Sequence, residues 1–343
     1  MTRKNYDIIF VTNLPSFYKL RLYSELAKRR KVFVIFTERL DDSRNDDFVR
    51  GEYGFDYEDI SRKSILGKIF YIAKFCACVR AGKIITGGWN LPSFWAFALM
   101  SAKSRNATVV ESSIFESRTQ AGIRSLLKRI FLSRNSVVYA PGHPHERLVR
   151  ALGFKGRVVI TMGVGLFNVV PSPEFKPAKE VKNFLYVGRF LEVKNLKFLI
   201  EAFNRMPDLN LNMVGFGYME AQLKSMAGKN INFIGAVDNK DLPAVYRAND
   251  VFVLPSVSET WGLVVEEALN NGLPVLLSDK VGCKEDVGGI GVTSLEFNCR
   301  NAESLQTAVR KICDVDFYNE LKKNACKIDF AEIQRRQISA YLD

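Results

Sequence analysis

Histidine is almost missing from this chain: His143 and His145 are the two present among 343 residues. The six cysteines, at 76, 78, 283, 299, 313 and 326, make no Cys-x-x-Cys pair. A zinc site draws on those two residue types at close spacing, so none is expected. No apolar run reaches the roughly 20 residues of a membrane span. The longest uncharged stretch, 84–102, is cut by Gly-Gly, Asn and Pro into strand, loop and helix. The start, MTRKNYDIIFVTN, carries no long apolar core and no small-residue cleavage site, so it does not read as a secretory signal. The expected compartment is the cytoplasm, with reduced cysteines. Gly-x-Gly-x-x-Gly is missing after the first strand, where Thr12–Phe17 holds no glycine, which argues against a nicotinamide oxidoreductase. With 47% hydrophobic and 25% charged residues, neither disorder nor a low-complexity fibre is expected.

Acidic residues are scarce in one region. Residues 1–175 hold 28 Lys and Arg against 15 Asp and Glu, a net of +13, whereas 176–343 hold 21 against 22. Within 61–157 the count is 17 against 3, a net of +14. The first half should therefore face something anionic: phosphate, nucleic acid or acidic lipid. The charge follows no recognisable nucleic-acid module, and the aromatics sit largely in apolar runs, so nucleic acid is not the expected partner.

Short β-rich runs alternate with helical patterns from end to end. The first half contributes DIIFV (7–11), VFVIF (32–36), KIIT (83–86), TVVE (108–111), SVVYA (136–140) and VVIT (158–161). The second contributes FLYVG (184–188), LNLNMVG (209–215), INFIG (231–235), VFVLP (251–255) and PVLLS (274–278). Apolar runs without alternation suit strands buried on both faces, as in parallel sheets. The length suits two domains of about 100–200 residues. The expected organisation is a first α/β domain over 1–170, a proline-rich linker over 171–182 and a second α/β domain over 183–325. A terminal helix in 326–343 is expected to pack back on the first domain. Both domains read as Rossmann-like, doubly wound parallel sheets facing across a cleft, with ligands bound outside the carboxyl ends of the strands.

The second half carries the chemistry. In FLYVGRFLEVKNLKFLIEAF a strand runs into a turn with Gly188 and Arg189, then a helix starting near Lys194. Two cations across a strand-to-helix turn can hold a diphosphate near the helix start; from this segment alone, two solvated surface cations fit as well. In PSVSETWGLVVEEALNNGLPVLLS the strand ends at Pro255 and a helix follows Gly262, whose backbone with Leu263 and Val264 forms an anion nest. Glu259 and Glu267 lie eight apart and suit sugar hydroxyls, since each carboxylate accepts two O–H bonds. Glu266 is expected on a solvated helix face.

Together these segments resemble the family 4 retaining glycosyltransferases of the GT-B fold, also called glycosyl transferases group 1. The signature is Glu, seven residues, Glu, then Gly-Leu-Pro-Val: here Glu259, Glu267 and Gly272–Val275. Upstream stand Val187-Gly-Arg189 with Lys194-Asn195, Val214–Gly217, Phe233–Gly235 and Asn249–Ser256, in the family's order. The resemblance implies that Arg189 and Lys194, with Gly188 beside them, bind the donor diphosphate. It implies that Glu267 binds the ribose, that Glu259 contacts the donor sugar, that Gly262, Leu263 and Val264 support the phosphate, and that main chain near Ala236 and Val237 meets the base. Arg189, Lys194 and Glu259 are then the catalytic candidates. It implies a nucleotide-diphosphate sugar as co-substrate, no cofactor and no required metal.

The first half matches less fully. The family's Gly-Gly after its first strand is replaced here by Asn13 and Pro15, and the histidine many relatives carry after the fourth strand is absent. Glu111 stands in that neighbourhood. Asn13, Tyr18, Trp89 and Glu111 are the acceptor candidates, although Glu111 could equally pair with a nearby arginine such as Arg118. His143 and His145 read as helix-start residues, and Asp314 with Asp316 as a helix cap. The stretches 62–80 and 117–135 are helical, with apolar stripes among basic residues. Each alone reads as a core-facing helix with a basic outer face. The net charge turns the reading toward an anionic membrane on the inner face of the cell, and toward a glycan or polyprenyl-diphosphate-linked acceptor used in cell-surface polysaccharide assembly. A nucleotide-sugar epimerase, or a non-catalytic nucleotide-sugar-binding protein of this fold, is the alternative.

Overall fold

The computed structural model describes residues 4–39, 51, 53–117 and 122–343. The chain divides into two compact units, 1–167 with 334–343, and 168–333.

The first unit contains β1 (Lys4–Thr12), α1 (Phe17–Ala27), β2 (Val32–Phe36), β3 (Asp56–Asp59), α2 (Ile65–Cys78) and β4 (Val79–Thr86). It continues with α3 (Pro92–Met100), β5 (Asn106–Val109), α4 (Ile123–Ser133), β6 (Val137–Ala140), α5 (His143–Ala151) and β7 (Arg157–Ile160). The seven strands lie in the order β3-β2-β1-β4-β5-β6-β7, every neighbouring pair parallel. The run IIFV in β1 shows why apolar runs mark such strands. Ile8 and Phe10 enter one core with Leu22, Tyr23 and Leu26 of α1, while Ile9 and Val11 enter another with Ile72, Phe75, Phe97 and Phe131 from α2, α3 and α4. Successive side chains point to opposite faces, and both faces are covered. Each such burial contributes about 1.5–3 kcal/mol. Strand β3, with sequence DYED, lacks any apolar run and was not expected; it pairs at the sheet edge, where one side needs no core.

The helices α2 and α4 turn their stripes the other way from the core-facing expectation. Phe131 and Leu132 are buried, but Ile123, Leu126, Leu127 and Ile130 of α4 are exposed, as are Ile65, Leu66, Ile69 and Phe70 of α2. These helices are apolar on more than one side, and the sheet takes only one of them.

The second unit contains β8 (Asn183–Val187), α6 (Leu196–Asn204), β9 (Asn210–Val214), α7 (Glu220–Met226), β10 (Ile231–Gly235) and α8 (Leu242–Arg247). After these come β11 (Val251–Leu254), α9 (Leu263–Asn270), β12 (Val275–Ser278), β13 (Ser294–Phe297), α10 (Ala302–Ile312) and α11 (Val315–Ala325), and then α12 (Phe330–Leu342), which starts in the second unit and passes into the first at Gln334. Its six strands lie in the order β10-β9-β8-β11-β12-β13, again all parallel. The chain builds outward from β8 to β10, then crosses back to set β11 against β8 on its other side. The loops leaving β8 and β11 therefore start from adjacent strand ends, where this architecture binds ligands.

The segment 171–182, expected as a linker, is tied to the second unit. Arg247 donates to the Pro171 carbonyl at 2.8 Å, Asn319 exchanges two bonds with the Ala178 backbone, and Asp250 accepts from the Lys182 and Asn183 amides. The end of α12 belongs to the first unit: Tyr341 stacks on Tyr139 with ring centroids 4.5 Å apart, and Gln334 donates to the Phe167 carbonyl. His143 opens α5, and Asp314 caps α11 by accepting the Phe317 amide at 2.9 Å.

Candidate functional site in the second unit

The loop after β8 is shaped by what Gly188 permits. Its φ is 153°, and a Cβ there would stand 2.8 Å from the Tyr186 hydroxyl. That hydroxyl donates to the Arg189 carbonyl at 3.0 Å, which fixes the backbone that carries the guanidinium. Burial pushes the Tyr186 phenol far above its ordinary range; Glu259 adds to the rise and Arg189 opposes it, so both charges lie within electrostatic reach of this ring. The helix expected near Lys194 begins at Leu196, because Glu192–Lys194 form a 3₁₀ turn first. Asn195 follows with φ 57°, a left-handed conformation that asparagine tolerates. Its amide donates to the carbonyls of Pro255 (3.2 Å) and Cys299 (2.9 Å), bracing this loop against the one after β11.

The second loop meets it directly. The Val257 amide donates to the Val193 carbonyl at 3.0 Å, and the Lys194 ammonium donates to Glu259 in a tight ion pair. Ser256 also donates to Glu259, at 3.3 Å. The side chains of Lys194 and Glu259 are 17% and 15% exposed, so water screens this pair far less than a surface bridge. The backbone of Glu259 is clamped by the Lys280 carbonyl and the Gly282 amide. Only glycine fits at 282, since a Cβ would come within 1.8 Å of the Thr260 carbonyl oxygen.

Gly262 precedes α9 with φ 103°, and Leu263 and Val264 form the first turn. The leading amides of a helix have no partner within it and carry its positive end, so this turn suits an anion. Glu267 sits one turn in and accepts from the Tyr246 hydroxyl of α8 at 3.0 Å. Burial pushes its carboxyl up to about 7, with the tyrosine opposing. Tyr246 was not anticipated as its partner. Val237 lies half-buried just past β10.

Glu266 corrects the expectation of a solvated face: it is 2% exposed. Burial drives its carboxyl up to about 8, offset in part by the Trp261 indole. The ordinary value is 4.5, so folding favours the protonated acid. That contribution is fully present below about pH 4.5 and is lost as pH rises through about 8. The melting temperature should therefore fall between about pH 5 and 8.5, and Glu266→Gln, neutral and isosteric, should remove much of that fall. Calorimetry across the range checks it, and an unchanged slope in the variant would refute the assignment.

In the first unit the acceptor candidates gather near the carboxyl ends of β1, β4 and β5. The Asn13 side chain accepts the Leu14 amide at 2.9 Å, turning the chain into α1. Tyr18 packs edge-on against Phe17, and its carbonyl accepts the Leu166 amide. The Trp89 carbonyl accepts from the Trp95 indole at 2.8 Å, and the Lys128 ammonium lies 5.4 Å from the Trp89 ring centroid. Arg118, the suggested partner of Glu111, lies outside the described residues. The partner shown is Lys19, at 2.9 Å. Lys19 was missed, although it stood in plain view: at three, four and seven residues from Leu22, Tyr23 and Leu26, it shares the buried face of α1. Glu111 raises the pKa of this buried ammonium against the pull of desolvation. The cavity beside the pair is about 20 Å³, room for a water and too small for a sugar.

Residues 172–327 match the family model described as Glycosyl transferases group 1. An uncharacterized 41.2 kDa protein in the cps region of Klebsiella pneumoniae is 32% identical over 162 residues, covering 46% of this chain and 44% of that protein. The O-antigen biosynthesis glycosyltransferase WbnH of Escherichia coli is 31% identical over 150 residues, covering 43% and 42%. The chain thus spans less than half the length of these curated relatives. Over the whole chain, the structure of Anabaena HepE in complex with UDP superposes with a TM-score of 0.72 at 15% identity, covering 98% of this chain and 99% of that one. The two parallel-sheet units have the GT-B fold, and the second of them is a domain of the glycosyl transferases group 1 family.

Proposed function

We propose that the protein is a retaining glycosyltransferase that moves a hexose-type sugar from a nucleotide-diphosphate donor to a lipid-linked glycan, in the assembly of a cell-surface polysaccharide. The observation that carries this reading is the Lys194–Glu259 ion pair, formed where β8 and β11 meet and next to the first turn of α9. A cation, an acid and a helix start suit the phosphates and hydroxyls of one nucleotide-sugar. The relative named for O-antigen biosynthesis, the uncharacterized relative from a cps region and the neighbour in complex with UDP support the substrate class.

In this mechanism the bond from the sugar's anomeric carbon to the diphosphate oxygen breaks with oxocarbenium character. Arg189, Lys194 and the α9 amides stabilise the charge that grows on the leaving diphosphate, and they do so most when it is fully formed. Those three supply the positive charge, so no metal is required. The acceptor hydroxyl attacks from the face the diphosphate leaves. Its proton passes to a diphosphate oxygen, so no separate protein base is needed. Glu259 orients the sugar, and Glu267 accepts the ribose hydroxyls. Asn13, Tyr18, Trp89 and Glu111 of the first unit meet the acceptor. Transfer takes place from the cytoplasmic side, at the inner face of the membrane.

Thermal-shift measurement against a panel of nucleoside diphosphates and their sugars tests this. A ligand at 100 times its Kd stabilises the state it binds by about 2.7 kcal/mol. At least one diphosphate should raise the melting temperature, and its sugar should be slowly hydrolysed. Stabilisation by none of them refutes the donor site; binding without hydrolysis or transfer supports a non-catalytic binder instead.

A further inference from the structure

The helices α2, α3 and α4 form a single layer on one face of the first sheet. Phe75 meets Phe97 with centroids 6.0 Å apart, Trp95 meets Phe131 at 5.1 Å, and the Arg134 side chain donates to the Ala98 carbonyl. The inward side of the layer is a buried core. The outward side is also apolar: Leu66 is 79% exposed, Phe70 73%, Ile123 68%, with Leu99, Leu126 and Ile130 alongside. Of the exposed large hydrophobic residues among the described ones, more than half lie on these three helices.

The exposed charged residues carried by these helices and the turns beside them have one sign, while Glu38 and Glu58 reach α2 from other elements, at Lys68 and Tyr71. Arg62, Lys63 and Lys74 are exposed at α2, Lys103 and Arg105 just past α3, and Arg124 and Arg129 on α4. No Asp or Glu occurs in residues 61–110 or 117–134. An apolar ridge set in cations fits a layer with apolar chains below anionic headgroups. It does not fit a second copy of the chain, which would bring the same charge against itself. No helix among the described residues is long and apolar enough to cross a membrane, so contact of this kind is one-sided.

We propose that the outer surface of α2, α3 and α4 seats the protein on an anionic lipid bilayer. Leu66, Phe70, Leu99, Ile123 and Leu126 enter the headgroup boundary, and the flanking arginines and lysines bind the headgroups. Lys128 joins this surface to the acceptor region, since the same α4 side chain lies over Trp89. The proposal rests on the lipid-linked acceptor reading for its purpose, but its test needs no sugar transfer.

The test is flotation of the full chain with vesicles of phosphatidylcholine, with and without phosphatidylglycerol. Binding should require phosphatidylglycerol and fall with added salt, each cation near the surface being worth roughly fivefold in partitioning. The exposed pairs Leu66→Ser with Phe70→Ser, and Ile123→Ser with Leu126→Ser, should each lower binding by at least about tenfold. Arg124→Glu with Arg129→Glu should lower it comparably. These side chains are exposed, so melting temperatures and nucleotide-induced thermal shifts should stay unchanged. No phosphatidylglycerol-dependent binding, or binding that survives all three variants, overturns the proposal. So does sedimentation showing a dimer that these variants dissociate, for then the surface serves self-association. Flotation of a protein that no nucleotide stabilises would keep the membrane surface and refute the donor site.

Discussion

Lys194→Ala should lower kcat for sugar transfer by roughly 10²–10³-fold, by analogy with the loss of one oxyanion donor, and change KM for the donor much less. The reason is differential: the ammonium meets a diphosphate that gains charge as the glycosidic bond breaks, so its contribution is greatest in the transition state. The substitution also leaves Glu259 without its cation. A half-buried carboxylate stripped of its partner costs about 1–3 kcal/mol of stability, which could be mistaken for lost catalysis. The double variant Lys194→Met with Glu259→Gln separates the two. It replaces a charged pair by neutral groups of similar volume, so it should restore the melting temperature without restoring turnover. Lys194→Ala that stays folded and keeps full kcat for transfer would remove the catalytic assignment.

Glu111→Ala should destabilise the first unit by about 2–3 kcal/mol, somewhat below the 3–5 of a fully enclosed pair because the Glu111 side chain is one-third exposed. The cost comes from Lys19, which would be left charged on the buried face of α1. Lys19→Met with Glu111→Leu should recover most of that loss, since apolar replacements of an enclosed pair are often neutral. Urea unfolding of the three variants checks this. Kinetics divide the two roles open to Glu111. As a purely structural ion pair, it leaves transfer by the double variant near normal once folding is restored. As an acceptor contact, it leaves acceptor KM or kcat impaired in that variant while donor hydrolysis continues unchanged. A single variant as stable as the parent would show that the pair carries no structural role.

Much of the fold was readable before any coordinates, and so was the position of the candidate site along the chain. The runs IIFV, VFVIF, FLYVG and VFVLP sit on strands because a parallel sheet covered on both faces needs apolar residues without alternation. The Glu259–Glu267 spacing was readable for a similar local reason: one loop and one helix set it. Strand β3 was not readable, because an edge strand with the sequence DYED has no such run.

Helical periodicity shows that an apolar face exists and leaves its direction open. The stripes of α2 and α4 were legible; that they point outward depends on which side the sheet claims. Glu266 and Glu267 make the same point one residue apart. Neighbours on a helix differ by about 100°, so the rotation of α9 against its surroundings decides which acid is swallowed and which meets Tyr246. The Lys194–Glu259 contact joins residues 65 apart and exists because β11 lies beside β8. Residue order sets the period of each element, a property of neighbours along the chain. Phase and partner come from packing between distant segments, where the burial of many side chains together outweighs the preference of any one of them.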